Sequence, residues 1–370
     1  MDEFAASLAL RHTRGLGPRT WKRLLDAYGG AAEAAADWSS WALRGLASPR
    51  VQAEFGRSGW REKARDEERK VGELGLSVVF YRDEAWPDLL REIPDPPLFL
   101  YYLGDLSLLV RPCVAVVGSR QASRYGAGMA ETMSASLSRA GVCVVSGFAH
   151  GIDRAAHLGA LRGVGGTIAV LGTGLDLVYP ASNRDIWDRI ASNGLIVSEF
   201  APGSRPDGAN FPHRNRIVSG LSLGVLVVEG ALGSGSLITA GLALAQNRDV
   251  FALPGPANLK SYQGCHQLIR QGACLVQSGE DILHELQPRL AAHGVSAQPA
   301  PAIPDPGPAE PADPDHRTVH RLLRDGDRLH VDALARRTGW PADKVSATLL
   351  FMELQGLVKQ LPGMYYALAT

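Results

Sequence analysis

Five short segments carry most of the side chains able to do chemistry. Gly118-Ser119-Arg120 is followed by Ser123, Tyr125 and Gly126, and Ser146-Gly147 runs through His150 to Asp153, ahead of a helical pattern containing His157. Gly172-Thr173-Gly174 leads to Tyr179-Pro180 and Asn183-Arg184, and Phe211-Pro212-His213-Arg214-Asn215-Arg216 sets two arginines about an asparagine behind an aromatic. Gly233-Ser234-Gly235-Ser236 follows Glu229 and opens a helix that includes Thr239. A small-residue turn entering a helix N-terminus presents free backbone N–H groups to an anion. Arginine adds a planar cation that holds phosphate in bidentate fashion. With Phe211 available to stack an unpaired base, the inventory suits a phosphodiester backbone.

Other chemistries fit less well. The first turn is not GxGxxG, no acid closes the next strand to hold a ribose, and GxxxxGK[ST] is missing, so dinucleotide and P-loop binding are disfavoured. No serine or lysine stands beside an obvious base, and no paired carboxylates occupy adjacent turns. His150 and His157 bracket Asp153, but without further ligands nearby the metal reading is set aside, and Asp153 is expected to cap a helix. No catalytic residue, metal or cofactor is expected.

These segments need a scaffold that brings them together. Each follows, or lies between, short apolar runs: CVAVV (113–117), VCVV (142–145), TIAVLG (167–172), LIVS (195–198), GVLVVEG (224–230), DVFALPG (249–255) and ACLV (273–276). Continuous apolar runs without alternation fit strands buried on both faces, and the helical patterns between them are the crossovers of a parallel sheet. The fold class is α/β, a doubly wound Rossmann-like parallel sheet, whose ligands bind outside the carboxyl ends of the strands.

The 370 residues exceed one ordinary domain. Residues 1–75 read as a helical domain, in which Gly15-Leu16-Gly17 makes a turn that could also hold a phosphate. Residues 76–286 form the Rossmann-like domain. Residues 287–316 form a Pro-rich linker, with seven prolines between 299 and 314. Residues 317–370 suggest a winged-helix-like unit: helices at 317–325, 331–338 and 341–355, then wing strands at 357–358 and 364–368.

Hydrophobic residues make up 45% of the chain, enough for a buried core, and no window of about 20 apolar residues suggests a membrane span. The four cysteines form no CxxC, and the acidic start does not read as a secretory signal, so a cytoplasmic location is expected. Net charge is zero, which excludes a uniformly basic nucleic-acid coat. Residues 111–279 nevertheless carry fourteen cationic against nine anionic side chains, a modest local excess. Residues 313–370 hold eight against seven, which favours protein contact over duplex recognition.

At these motifs the chain closely resembles the DNA-processing protein A (DprA/Smf) family. The matching stretches include VAVVGSRQASRYG (114–126), VVSGFAHGIDRAAHLGAL (144–161), FPHRNRIVSGLS (211–222) and VVEGALGSGSLITAGLALA (227–245), over roughly residues 75–286. The flanks fit more loosely, a sterile-alpha-motif-like unit in front and a winged-helix-like unit behind. The resemblance implies single-stranded DNA binding without sequence choice, a homodimer, and delivery of a RecA-type recombinase onto the bound strand during natural transformation. Carried onto this chain, the DNA-contacting candidates are Gly118, Ser119, Arg120, Ser146, Gly147, Asn183, Arg184, Phe211, Arg214 and Arg216. The dimer candidates are Leu237, Leu244 and Ile269. His150 departs from relatives that often carry Lys or Arg there. The competing reading is a nucleoside-monophosphate phosphoribohydrolase-like enzyme with PGGxGTxxE. Here Glu229 precedes Gly233 and Gly235 and position 239 is Thr, which argues against it.

Overall fold

Each of the seven apolar runs becomes a strand. They are β3 (Cys113–Val117), β4 (Cys143–Ser146), β5 (Thr167–Val170), β6 (Leu195–Ser198), β7 (Gly224–Val227), β8 (Asp249–Ala252) and β9 (Cys274–Leu275). All seven pair in parallel. All five side chains of β3 are buried, as expected for a strand covered by helices on both faces. The computed structural model describes residues 1–294, 313–324, 328–355 and 357–368, in two compact units, Met1–Pro301 and Ala302–Thr370. Among the described residues no helix is long and apolar enough to cross a membrane.

Two strands are additional to the seven runs. β1 (Ser77–Phe80) and β2 (Phe99–Gly104) pair with each other and extend the sheet antiparallel to β6, giving the order β1-β2-β6-β5-β4-β3-β7-β8-β9. The direction of winding reverses between β3 and β7, because β3 has β4 on one side and β7 on the other. A crevice opens where the loops leaving these two strands diverge.

The helices of the first 75 residues pack on β2 and share the core of the sheet. Phe4 meets Phe99 edge-on at 5.5 Å. Glu67, 4% exposed, accepts a hydrogen bond of 2.5 Å from the Tyr101 hydroxyl and pairs with Arg11 and His12. A carboxylate removed from water needs such partners, so this cluster fixes the helix Arg61–Leu74 against the sheet.

Two local expectations change. Asp153 is not the cap of the helix Ile152–Ala160; Gly151 is, with φ of 71°. The Asp153 carboxylate instead lies in the first turn and accepts from the Ala149 N–H at 3.2 Å. Residues 287–292, read as the head of the linker, form the helix Gln287–Ala292, which tolerates Pro288 in its first turn and buries Leu290. Residues 295–312 lie outside the described residues.

In the second unit, helices Pro314–Arg324, Val331–Thr338 and Ala342–Leu354 precede a small antiparallel sheet. Its strands are β10 (Leu329–His330), β11 (Val358–Leu361) and β12 (Tyr365–Leu368), in the order β10-β12-β11. Val319, Leu334, Val345, Leu349 and Met352 form its core. This is a winged-helix arrangement, with β10 the one element that sequence reading left out.

Candidate functional site

The crevice between β3 and β7 is a cleft of about 650 Å³. Gly118, Ser119 and Arg120 wall it from the β3 loop, Gly147 and Asp153 from the β4 loop, and Phe211, Arg214 and Asn215 from the helix Asn210–Gly220. Ser234, Gly235 and Ser236 close it at the start of the helix Gly235–Ala245. The Leu237 N–H of that first turn already donates to the Ser234 carbonyl at 3.1 Å, which leaves the N–H groups of Gly235 and Ser236 at the helix start to face an anion.

Arg120 is exposed and places its guanidinium carbon 5.0 Å from the Phe211 ring centroid. The Tyr179 ring also meets Phe211, 5.9 Å away and tilted by 36°. Arg120, His150, Tyr179 and Phe211 also line a smaller apolar recess with Leu171 and Pro180. His150 is exposed at its rim, 3.3 Å from the Ser182 hydroxyl.

Arg214 plays a different part. It is 4% exposed, and its Nη1 donates to the Gly147 carbonyl at 2.5 Å and to the Val170 carbonyl. Burial lowers its pKa to about 10, so it stays charged at neutral pH, aided by Asp153. Burial pushes the Asp153 carboxyl up, against the pull of Arg214. Both line the cleft. Gly147 is required here, since a Cβ would meet the Arg214 guanidinium at 2.6 Å.

The structure divides the ten residues grouped from sequence. Gly118, Ser119, Arg120, Gly147, Phe211 and Arg214 come together in the cleft. Ser146 is buried and donates to the Val116 carbonyl at 2.7 Å. Asn183 is buried too, and its amide donates to the carbonyls of Phe148 and Ala149 at 2.9 and 3.2 Å, bracing the β4 loop from behind. Arg184 is exposed at the start of the helix Arg184–Asn193, outside the lining of both cavities.

Arg216 points away from the cleft. Its Nη2 lies 2.7 Å from both carboxylate oxygens of Glu199, and the side chain is 2% exposed. The reason is helical geometry: at about 100° per residue, positions two apart lie on nearly opposite faces. Phe211, Arg214, Asn215 and Val218 share the face turned to the cleft, whereas His213 and Arg216 turn to Glu199. The same spacing identifies Asn215, which the sequence selection passed over. Asp153 was passed over too, because its expected capping role hid it.

Comparison with known proteins gives the chain's family. Residues 77–287 match the family described as "DNA recombination-mediator protein A", and residues 303–364 match the DprA winged helix domain. The chain belongs to the DNA-processing protein A (DprA/Smf) family. DNA processing protein DprA of Streptococcus pneumoniae is 49% identical over 239 residues, covering 62% of this chain and 84% of that one. Protein Smf of Escherichia coli is 42% identical over 287 residues, covering 77% and 75%. The crystal structure of the S. pneumoniae DprA superposes with a TM-score of 0.65 at 38% identity, over 75% of this chain and 95% of that one. DprA of Helicobacter pylori, solved to describe its single-stranded DNA binding mode, gives 0.53 at 32% identity, over 58% and 96%.

Proposed function

We propose that this chain binds single-stranded DNA without sequence preference in the cleft between β3 and β7. It does so as a homodimer, and acts as a binding protein rather than an enzyme. The observation that carries the reading is the platform of Arg120 on Phe211 at the mouth of a cleft whose far wall is a helix N-terminus. A cation, an aromatic ring and the N–H groups of a helix start are what a phosphate and an unstacked base require. Kinship to the H. pylori protein, named for its single-strand binding mode, supports it.

The finer reading follows the family resemblance: in the cytoplasm the protein delivers a RecA-type recombinase onto incoming strands during natural transformation. It is read by whether the protein speeds recombinase filament formation on a strand already coated by a single-strand binding protein. The primary test is a gel shift with a single-stranded oligonucleotide against the duplex of the same sequence. Preference for the single strand, alike for several sequences, is the expected result. Equal or absent binding, or release of free base from nucleoside monophosphates, would overturn the reading.

A further inference from the structure

Glu229 has no role in the cleft as described so far. It lies two residues beyond β7, is 1% exposed, and among the described residues has no ion-pair partner. One of its oxygens collects three hydrogen bonds in place of water. Glu229 Oε2 accepts from the Ser123 N–H at 3.0 Å, from the Ser123 hydroxyl at 2.7 Å and from the Tyr262 hydroxyl at 3.3 Å. Its backbone carbonyl accepts from the Ser119 N–H at 2.7 Å. Glu229 therefore grips the turn on both sides of Arg120, by main chain at Ser119 and by side chain at Ser123.

The turn is built around this grip. Ser123 caps the helix Arg124–Arg139 by accepting from the Gly126 N–H at 3.0 Å, while its own proton goes to Glu229. Gly126 leaves room for the carboxylate, which a Cβ there would strike. A buried carboxylate without a cation costs folding free energy, and a well-packed apolar side chain of the same size would ordinarily be no worse. What the carboxylate supplies is one charged oxygen on which three donors converge, and hence one geometry for the loop that meets it.

We propose that Glu229 is a positioning residue for strand binding: it fixes both ends of the Ser119–Ser123 turn so that Arg120 reaches the bound backbone. The proposal rests on the single-strand reading above. Glutamine can set its one oxygen where the three donors converge, but without the charge that strengthens those bonds, and its NH₂ brings two donors into a buried site, so Glu229→Gln weakens the grip on the turn while nearly preserving volume.

The experiment measures oligothymidylate binding over a range of salt, alongside thermal melting, for wild type, E229Q, S123A, R120A and the double variants E229Q/R120A and S123A/R120A. E229Q is expected to reduce the slope of log K against log salt by about 0.7, the value for one lost single-strand phosphate contact. S123A should do the same, and neither should add to the loss already present in R120A. A purely structural role lowers the melting temperature but leaves the slope of the folded protein intact. Wild-type slopes in E229Q and S123A, or losses additive with R120A, would overturn the proposal; should E229Q fail to fold, S123A decides alone. Failure of wild type to bind oligothymidylate is a separate outcome. It defeats the single-strand reading, and this role with it.

Discussion

The Arg120 guanidinium lies over the face of Phe211, 5.0 Å from its centroid, so two residues expected to meet DNA separately form one surface. A cation over a half-buried ring at a surface site gains about 0.5–1 kcal/mol and loses rotamer freedom before any ligand arrives. Arg120→Ala should reduce the salt slope by about 0.7. Phe211→Ala should cost about 1–3 kcal/mol of affinity if a base stacks on the ring. The two losses should not add, because the ring also orients the arginine. Anisotropy titrations of both single variants and the double variant check this; strict additivity would mean that the contact has no bearing on binding.

Arg216→Ala should behave as a stability variant. Burial opposes ionisation of Glu199, but Arg216 and His213 outweigh it and hold the carboxyl at about 2. Removing Arg216 leaves that charge buried beside His213 alone and should cost about 3–5 kcal/mol. Because the folded pKa is depressed, the pair's contribution is full above the ordinary value of 4.5 and is lost as pH falls toward 2. Urea unfolding at neutral pH reads the loss. The salt slope of the surviving folded protein should match wild type, and a slope reduced by one contact would instead place Arg216 on the strand.

The sheet was legible because the strands from β3 to β8 are almost wholly buried and write uninterrupted apolar runs, while the edge strand β9 keeps an apolar run although it is partly exposed. β1 and β2 were not, since Phe99–Gly104 ends exposed and follows a proline-rich segment that reads as a loop. The cleft was half legible. Glycine turns after strands announced Gly118, Ser119 and Gly147, and position along the chain was enough to find them. What chain position hides is direction: Arg214 and Arg216 read as a matched pair until the helix phase turns one to the cleft and the other to Glu199. Asn183 looks like a ligand in sequence because it is polar after a turn, yet its amide is spent on two carbonyls of a neighbouring loop.

His157 gives the fold a dependence on mild acid. Thr167 donates its hydroxyl proton to the Val144 carbonyl, so His157 Nδ1, 2.7 Å from that hydroxyl, must be the donor there. Nε2 is buried with no hydrogen-bond partner. Burial first, and then Arg214, lower the pKa from 6.5 to about 3. The unfolded chain therefore takes up a proton below 6.5 that the folded chain refuses, and stability falls as pH drops from 6.5 toward 3. At pH 5 this amounts to about 2 kcal/mol. In His157→Gln the change in urea midpoint between pH 7 and pH 5 should shrink accordingly; an unchanged dependence would assign it to other groups.

The far edge of the sheet carries the dimer expectation. Leu244 and Leu275 are 59% and 48% exposed, and Ile269 lines an open groove there with Leu232 and His266. Leu237, named from sequence, packs partly into the core, and its neighbour Ile238 is the more exposed at 46%. A short strand with apolar neighbours in water is a surface that association covers. Ile269→Asp should shift sedimentation from dimer to monomer mass without lowering the melting temperature of the monomer; a retained dimer would place the interface elsewhere.

The winged-helix unit should be dispensable for single-strand affinity. A helix that reads a DNA groove presents several cations, and the helix Ala342–Leu354 has one, Lys344. Lys344 is already engaged, 4.2 Å from the Trp340 centroid and 2.9 Å from Asp315. The same helix instead exposes Leu350 and Phe351, at 56% and 58%, which suits a protein surface better than a phosphate backbone. A chain ended at Gln298 should therefore hold single strands within about threefold of the full-length affinity, well inside the ~1.4 kcal/mol of a tenfold change. Its salt slope should also be unchanged, because no counterion-releasing contact has been removed. Titrating both chains with the same oligonucleotide at two salt concentrations makes the comparison. A hundredfold loss with a shallower slope would show that Arg317, Arg321 or their neighbours reach the strand.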